Sequence, residues 1–208
     1  MNNKDKEEIV RRYRDRLSSY GQSIEALASG TTERRDIRFS TLKSVGNLEG
    51  KKVLDLGCGF GDFYAWLKQK GVNVLYTGYD ISPELIQVCD DRFPSSRFEV
   101  RDIQETGIPE KFDYIICSQA FNNKLSEDSN IKTVKDIISI CFEACNEGLA
   151  IDMLTSYVDF REPHLYYYSP EDMFSFAKSL TKRVALRHDY PTYEFALFLY
   201  RDFNGWGN

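Results

Sequence analysis

The 208-residue sequence lacks any excess of positive charge: 27 Lys and Arg stand against 32 Asp and Glu, a net charge of -5. That argues against a broad nucleic-acid footprint, which needs a basic face to meet phosphates, but leaves room for a local nucleotide groove. No apolar run reaches the length that spans a bilayer, and the first residues are charged rather than signal-like, so no membrane association and a cytoplasmic location are expected. The five cysteines are odd in number and include no C-x-x-C pair, which points to reduced thiols. Cys141 and Cys145 sit four apart on one helical face with no His beside them, so they read as core and no metal is expected. Histidine is scarce: His164 and His188 are the two in the chain. Aromatics are plentiful instead, with 13 Tyr and 14 Phe, more in keeping with a lined pocket as well as a core. The length suits one well-buried domain better than two.

The chemistry-bearing stretch is Lys52-Val53-Leu54-Asp55-Leu56-Gly57-Cys58-Gly59-Phe60-Gly61. Val53, Leu54 and Leu56 read as a buried strand. Gly57, Gly59 and Gly61 remove three Cβ atoms in five positions, so the backbone can turn sharply and a ligand can approach it. The run from Asp62 to about residue 70 reads as a helix, with Asp62 placed to cap it. Strand, glycine turn and helix form the first unit of a nucleotide-binding doubly wound sheet. A dinucleotide fingerprint would need its third glycine at position 62, which is Asp62; the pattern here is D-x-G-x-G-x-G, with Asp55 leading it.

Two downstream carboxylates fit the same reading. Strand two, Val74 to Tyr79, ends in Asp80, which lies 19 residues after Gly61, near the offset at which a ribose-binding acid follows such a turn. Ile81 follows it and can pack on an adenine face. Ser82 caps and Pro83 opens the next helix, which runs to about Phe93. Strand three, Arg97 to Arg101, ends in Asp102-Ile103, an acid for an exocyclic amine beside an apolar cover for the ring.

Taken together, D-x-G-x-G-x-G, Asp80 and Asp102 resemble the core of the class I S-adenosylmethionine-dependent methyltransferases of the small single-domain bacterial type. The resemblance covers about residues 50 to 122 and continues more weakly to about 201. It implies an α/β, Rossmann-like doubly wound seven-stranded sheet of order 3-2-1-4-5-7-6, with strand 7 antiparallel and N-terminal helices over the cofactor cleft. It also implies S-adenosyl-L-methionine at Asp55, Gly57, Cys58, Gly59, Phe60, Gly61, Asp80, Ile81, Asp102, Ile103, Ser118 and Gln119. The loop after strand four touches both cofactor and acceptor in that family, and here it lacks the Asn/Asp-Pro-Pro-Tyr motif of enzymes that methylate base amines.

Helices are expected at residues 4 to 20, stopped near Gly21, and at Thr32 to Val45, with Tyr13, Arg38 and Phe39 facing inward. Strand four is Phe112 to Cys117. A long helix spans 126 to 147 and ends at Gly148, and Leu149 to Leu154 forms strand five. Ser169-Pro170-Glu171 opens the last helix. Arg183 to His188 and Glu194 to Arg201 pair antiparallel across a short connection. The division expected is 1–47 as a helical lid, 48–201 as the core and 202–208 as a fraying tail of one domain.

Ligands of open α/β sheets bind outside the carboxyl ends of the strands. That gathers the connections 57–62, 118–126, 155–169 and 189–193 on one rim. Phe121, Asn122, Tyr157, Tyr190 and Tyr193 are the candidates for an acceptor pocket, and His164 and His188 for a general base toward a hydroxyl. The Arg38-Phe39 step and the segment His188-Asp189-Tyr190-Pro191 through Tyr193-Glu194-Phe195 resemble small bacterial methyltransferases of polysaccharide or secondary-metabolite pathways, which implies a sugar or natural-product acceptor, at O or N. The partner expected is therefore a small molecule, acting on a monomer or homodimer. Three other readings stay open: an NAD-dependent oxidoreductase, a non-catalytic cofactor-binding regulator, and a methyltransferase acting on a macromolecule.

Overall fold

The computed structural model describes residues 1–201, so the expected fraying of the 202–208 tail lies outside the described residues. Side-chain alternation explains the sheet. In β1 (Lys52–Leu56), Leu54 and Leu56 enter one core while Val53 enters the other. In β4 (Phe112–Cys117), Ile115 and Cys117 oppose Tyr114 and Ile116 in the same way. In β5 (Cys145–Leu154), Leu149, Ile151 and Met153 oppose Ala150. A strand buried on both faces needs apolar residues at consecutive positions, so these segments read as runs rather than alternations. Each fully buried Leu or Ile contributes about 1.5–3 kcal/mol.

β2 (Leu75–Asp80) and β3 (Arg97–Val100) extend the sheet on one side of β1, and β7 (Glu194–Tyr200) and β6 (Arg183–Arg187) extend it beyond β5. The order is β3-β2-β1-β4-β5-β7-β6, with β7 antiparallel to both neighbours. One face is covered by α6 (Asn130–Ala144) and α7 (Pro170–Leu180), the other by α2 (Thr32–Lys43), α3 (Asp62–Gln69) and α4 (Pro83–Arg92). On α6, Val134, Ile138, Cys141 and Phe142 recur at helical spacing and are buried.

α1 (Asn3–Tyr20) stops at Gly21, as its apolar spacing predicts, and lies over the carboxyl rim. It is held there by polar contacts: Lys6 Nζ meets Asp102 at 3.0 Å, and Asp5 accepts from the Ser126 N–H and hydroxyl.

Three local expectations are corrected. Gly61, not Asp62, caps α3; it is left-handed at φ 71°, and Asp62 opens the helix while pairing with Arg92 at 3.0 Å. The long helix starts at Asn130, whose side chain bonds Leu125 N–H and Asn123 C=O, and it ends at Ala144. Gly148 is not its stop. It lies inside β5, where a Cβ would stand 3.0 Å from Val45 and 3.3 Å from Tyr200, so a side chain there would crowd its neighbours on the sheet. A short helix unforeseen in the sequence, α5 (Ile103–Thr106), follows Asp102, whose carboxylate caps it through Gln104 N–H.

Candidate functional site

The turn after β1 is pinned to the end of β2. Gly57 and Cys58 both donate to the Tyr79 carbonyl, at 2.7 and 3.1 Å. Asp80 completes the brace: Oδ2 accepts from Gly59 N–H at 3.0 Å and Oδ1 from Ser82 N–H at 2.9 Å. Gly57 has φ 75°, and a Cβ there would meet the Ala120 Cβ at 2.7 Å, so the loop after β4 closes directly onto the turn.

These elements, with α1 and α2 above, enclose a cavity of ≈ 180 Å³. Of the residues singled out in the sequence, Asp55, Gly57, Cys58, Gly59, Asp80, Ile81, Asp102, Ile103, Ser118, Gln119 and Phe121 line it. Tyr13, Arg38 and Phe39 of the helical roof line it too.

The others stand apart. Phe60 packs with Ala26, Leu85 and Val88, and Gly61 serves the helix start. Asn122 is buried and its Oδ1 accepts from Leu154 N–H, a bond that ties loop to strand. Tyr157 is 65% exposed and bonds Glu171, and Tyr193 lies under the Arg34 guanidinium. Tyr190 is buried beside the cavity wall without lining it. His164 and His188 are exposed and line no part of the cavity; the His188 ring leans on Tyr157 and Phe195. The rim reading located these connections by strand ends alone. β6 is the outer strand, with β7 between it and β5, and that distance from the centre carries His188 away from the cavity.

Sequence reasoning missed the cavity walls supplied by Leu27 and Ser29 and by Asn130, Thr133 and Val134 of α6. It also missed Asp152 and Glu194. One signal was present: Asp152 interrupts the apolar run Leu149-Ala150-Ile151-Asp152-Met153-Leu154, and a carboxyl inside such a strand needs a partner.

The site is rich in buried acid. Burial pushes Asp55 up to about 7, opposed by the Tyr76 hydroxyl that donates to it at 2.6 Å and reinforced by Asp80 and other acids. Burial likewise raises Asp152 to about 7, with Arg38 opposing and Glu194 reinforcing. Asp80 is raised by burial against its backbone donors. Carboxyls with a raised folded pKa hold protons that the unfolded chain releases, so their contribution to stability is full below the ordinary value of 3.8 and is lost as pH rises through about 7. The urea midpoint is therefore expected to fall between about pH 5 and about pH 7.5. Acids held below their usual range, such as Glu110, act at lower pH. A midpoint flat across this window would show that Asp55 and Asp152 ionise as ordinary carboxyls.

The cradle fits the adenosyl cofactor by shape and donor chemistry: a turn open to close approach, a strand-end carboxylate with lone pairs to spare for a diol, and apolar Ile81 and Ile103 on the same wall. A methyltransferase domain family matches residues 53–141. A Mycobacterium tuberculosis protein named as a methyltransferase is 33% identical over 155 residues, covering 71% of this chain and 91% of that one. The magnesium-protoporphyrin O-methyltransferase of Rhodobacter capsulatus is 30% identical over 109 residues, covering 49% of this chain and 47% of its own. The magnesium protoporphyrin IX methyltransferase of Synechocystis, solved with S-adenosylhomocysteine bound, shares the fold at TM-score 0.66 and 19% identity, covering 95% of this chain and 100% of that one. The chain belongs to the S-adenosylmethionine-dependent methyltransferases, and S-adenosyl-L-methionine is its methyl donor.

Proposed function

We propose that the chain methylates a small-molecule acceptor, a sugar or natural-product intermediate, at oxygen or nitrogen. The observation that carries this is the roofed cavity: α1 and α2 cover the carboxyl rim, and Ile9, Val10, Tyr13 and Phe39 from them line it together with Phe121. Such a space suits a compact acceptor. The Rhodobacter relative, named for a porphyrin, supports a small acceptor. In this reading residues 1–47 are the lid and 48–201 the core of one domain, acting in the cytoplasm as a monomer or homodimer.

S-adenosylmethionine supplies a methyl group on positively charged sulfur, open to in-line displacement. Asp80 would accept the ribose hydroxyls, the Gly57–Gly59 turn would let the backbone meet the amino-acid portion, and Ile81 and Ile103 would flank the adenine. Asp102 would accept from the adenine amine with lone pairs left by Lys6 and Gln104. Positioning and exclusion of water under the lid would supply much of the rate. His164 and His188, exposed and outside the cavity, are given no part in the chemistry.

Replacing Asp80 with Ala is expected to weaken S-adenosylhomocysteine binding by about 1.5–3 kcal/mol, roughly tenfold to 150-fold, the range for hydrogen bonds to a charged group. An unchanged dissociation constant by calorimetry would remove Asp80 from the site.

The acceptor class is tested by incubating the protein with methyl-labelled S-adenosylmethionine and three pools: small metabolites, total RNA and total protein. Label in the metabolite pool is the expected result. Label in RNA or protein would replace this reading with a macromolecular acceptor. Label in none, with S-adenosylhomocysteine still bound, would favour a regulator.

A further inference from the structure

Behind Ser118 and Gln119 lies a charged cluster that the cofactor cradle does not use. Asp152 is 1% exposed; its Oδ2 accepts from the Ser118 hydroxyl at 2.9 Å and its Oδ1 from Gln119 N–H at 2.6 Å. Gln119 is held in the left-handed region at φ 58°, unusual for a residue with a side chain, and its amide donates to Glu194 Oε1 at 3.0 Å. Arg38, 2% exposed, reaches the same oxygen at 3.6 Å. Arg38 Nε, Glu194 Oε2 and Tyr190 Oη have no hydrogen-bond partner.

The charges do not balance. Two buried carboxylates face one guanidinium, so the cluster is one positive charge short when both acids are ionised. The deficit can be met in two ways: a proton on Asp152, or a cation in the cavity on the other side of Ser118 and Gln119, both of which line it. The methyl donor carries such a cation, its sulfonium; the demethylated product does not.

We propose that Asp152 is the proton-accepting carboxylate of methyl transfer, ionised while the sulfonium occupies the cavity and protonated once the sulfur is neutral. This rests on Ser118 and Gln119 facing the transfer end of the cavity. As the bond from acceptor to methyl carbon forms, the carbon–sulfur bond breaks and its electron pair stays on sulfur. The acceptor's proton passes to Ser118 Oγ while the Ser118 proton moves to Asp152 Oδ2. The buried site then carries the same net charge before and after, so no charge is created in a low-dielectric interior. Asp152 acts through Ser118 and is a positioning residue for the proton; Ser118 is the group that meets the acceptor.

The groups facing Asp152 are Arg38 from α2, Asp55 from β1, Cys117 from β4, Ser118 and Gln119 just after it, Tyr190 between β6 and β7, and Glu194 from β7. Its rise to about 7 places it where either proton or cation decides its state. Asp55 also rises to about 7, so the test has to separate the two.

Proton uptake on binding is read by calorimetry in two buffers of different ionisation enthalpy, with S-adenosylmethionine and S-adenosylhomocysteine as ligands. Near pH 7 the wild-type complex with S-adenosylhomocysteine is expected to hold about half a proton more than that with S-adenosylmethionine. In Asp152→Asn the difference should vanish while both ligands still bind. Equal proton counts in the wild type would overturn the proposal, and so would a difference that survives Asp152→Asn, which would belong to Asp55. Should that variant not fold, the preference for S-adenosylmethionine over S-adenosylhomocysteine should rise severalfold from about pH 6 to about pH 8 in the wild type and still rise in Asp55→Asn, which leaves Asp152 in place; a preference flat in the wild type, or one that turns flat in Asp55→Asn, overturns the assignment. Failure of the wild type to bind either ligand would be a different result, against the cofactor site itself.

Discussion

Arg38→Met is expected to cost about 3–5 kcal/mol of folding stability, the range for removing one partner from a buried ion pair. Arg38 and Glu194 are both almost fully enclosed, and Arg38 also donates to the Ser29 carbonyl at 2.6 Å, which ties the segment before α2 to its helix. Methionine keeps much of the volume but strands Glu194 beside Asp152 with no cation between them. The measurement is urea unfolding at constant m, with the loss read from the midpoint. The double variant Arg38→Met with Glu194→Leu removes the stranded charge and should regain a large part of the loss. A single-variant cost near zero would mean that water reaches the pair. α2 and the sheet are thereby joined by charge as well as by Phe39 and Leu42, which pack into the core beneath.

Gly57→Val is expected to reduce S-adenosylhomocysteine affinity more than 100-fold, an order-of-magnitude estimate from the two penalties it combines. At φ 75° a β-branched residue carries backbone strain of about 1–3 kcal/mol, and its Cβ would sit 2.7 Å from the Ala120 Cβ, forcing apart the two loops that form the cradle. Gly71→Val separates the terms. Gly71 has φ 70° but nothing within 4 Å of its would-be Cβ, so that variant bears the strain alone and should bind normally. Circular dichroism establishes that both remain folded. Near-normal affinity in Gly57→Val would dissociate the turn from cofactor binding.

The features readable in the sequence are those whose causes act within a few residues. The glycine turn, the Ser82–Pro83 helix start, the stop at Gly21 and the strand runs of β1 and β4 each depend on local backbone preference or on apolar period. Asp80 was legible from its distance along the chain after the turn, and Asp102 from its place at the end of a strand beside an apolar residue. The Gly148 error has the opposite origin. A glycine after a helical pattern reads as a stop, yet here its missing side chain makes room for Val45, Tyr114 and Tyr200, which no local pattern connects to it.

The histidines illustrate the same limit. Both stand on connections at the correct edge of the sheet, but strand order and the outward path of the chain set their distance from the cavity. Arg38, Ser118, Gln119, Asp152 and Glu194 come from four separated segments, and they meet because β5 pairs with β4 on one side and β7 on the other while α2 folds across them. Covalent neighbours and helical or strand period therefore decide the cradle. The charge-deficient wall behind it exists only after long-range packing has excluded water from Arg38, Asp152 and Glu194, since charges left in water would be screened and would carry no such coupling.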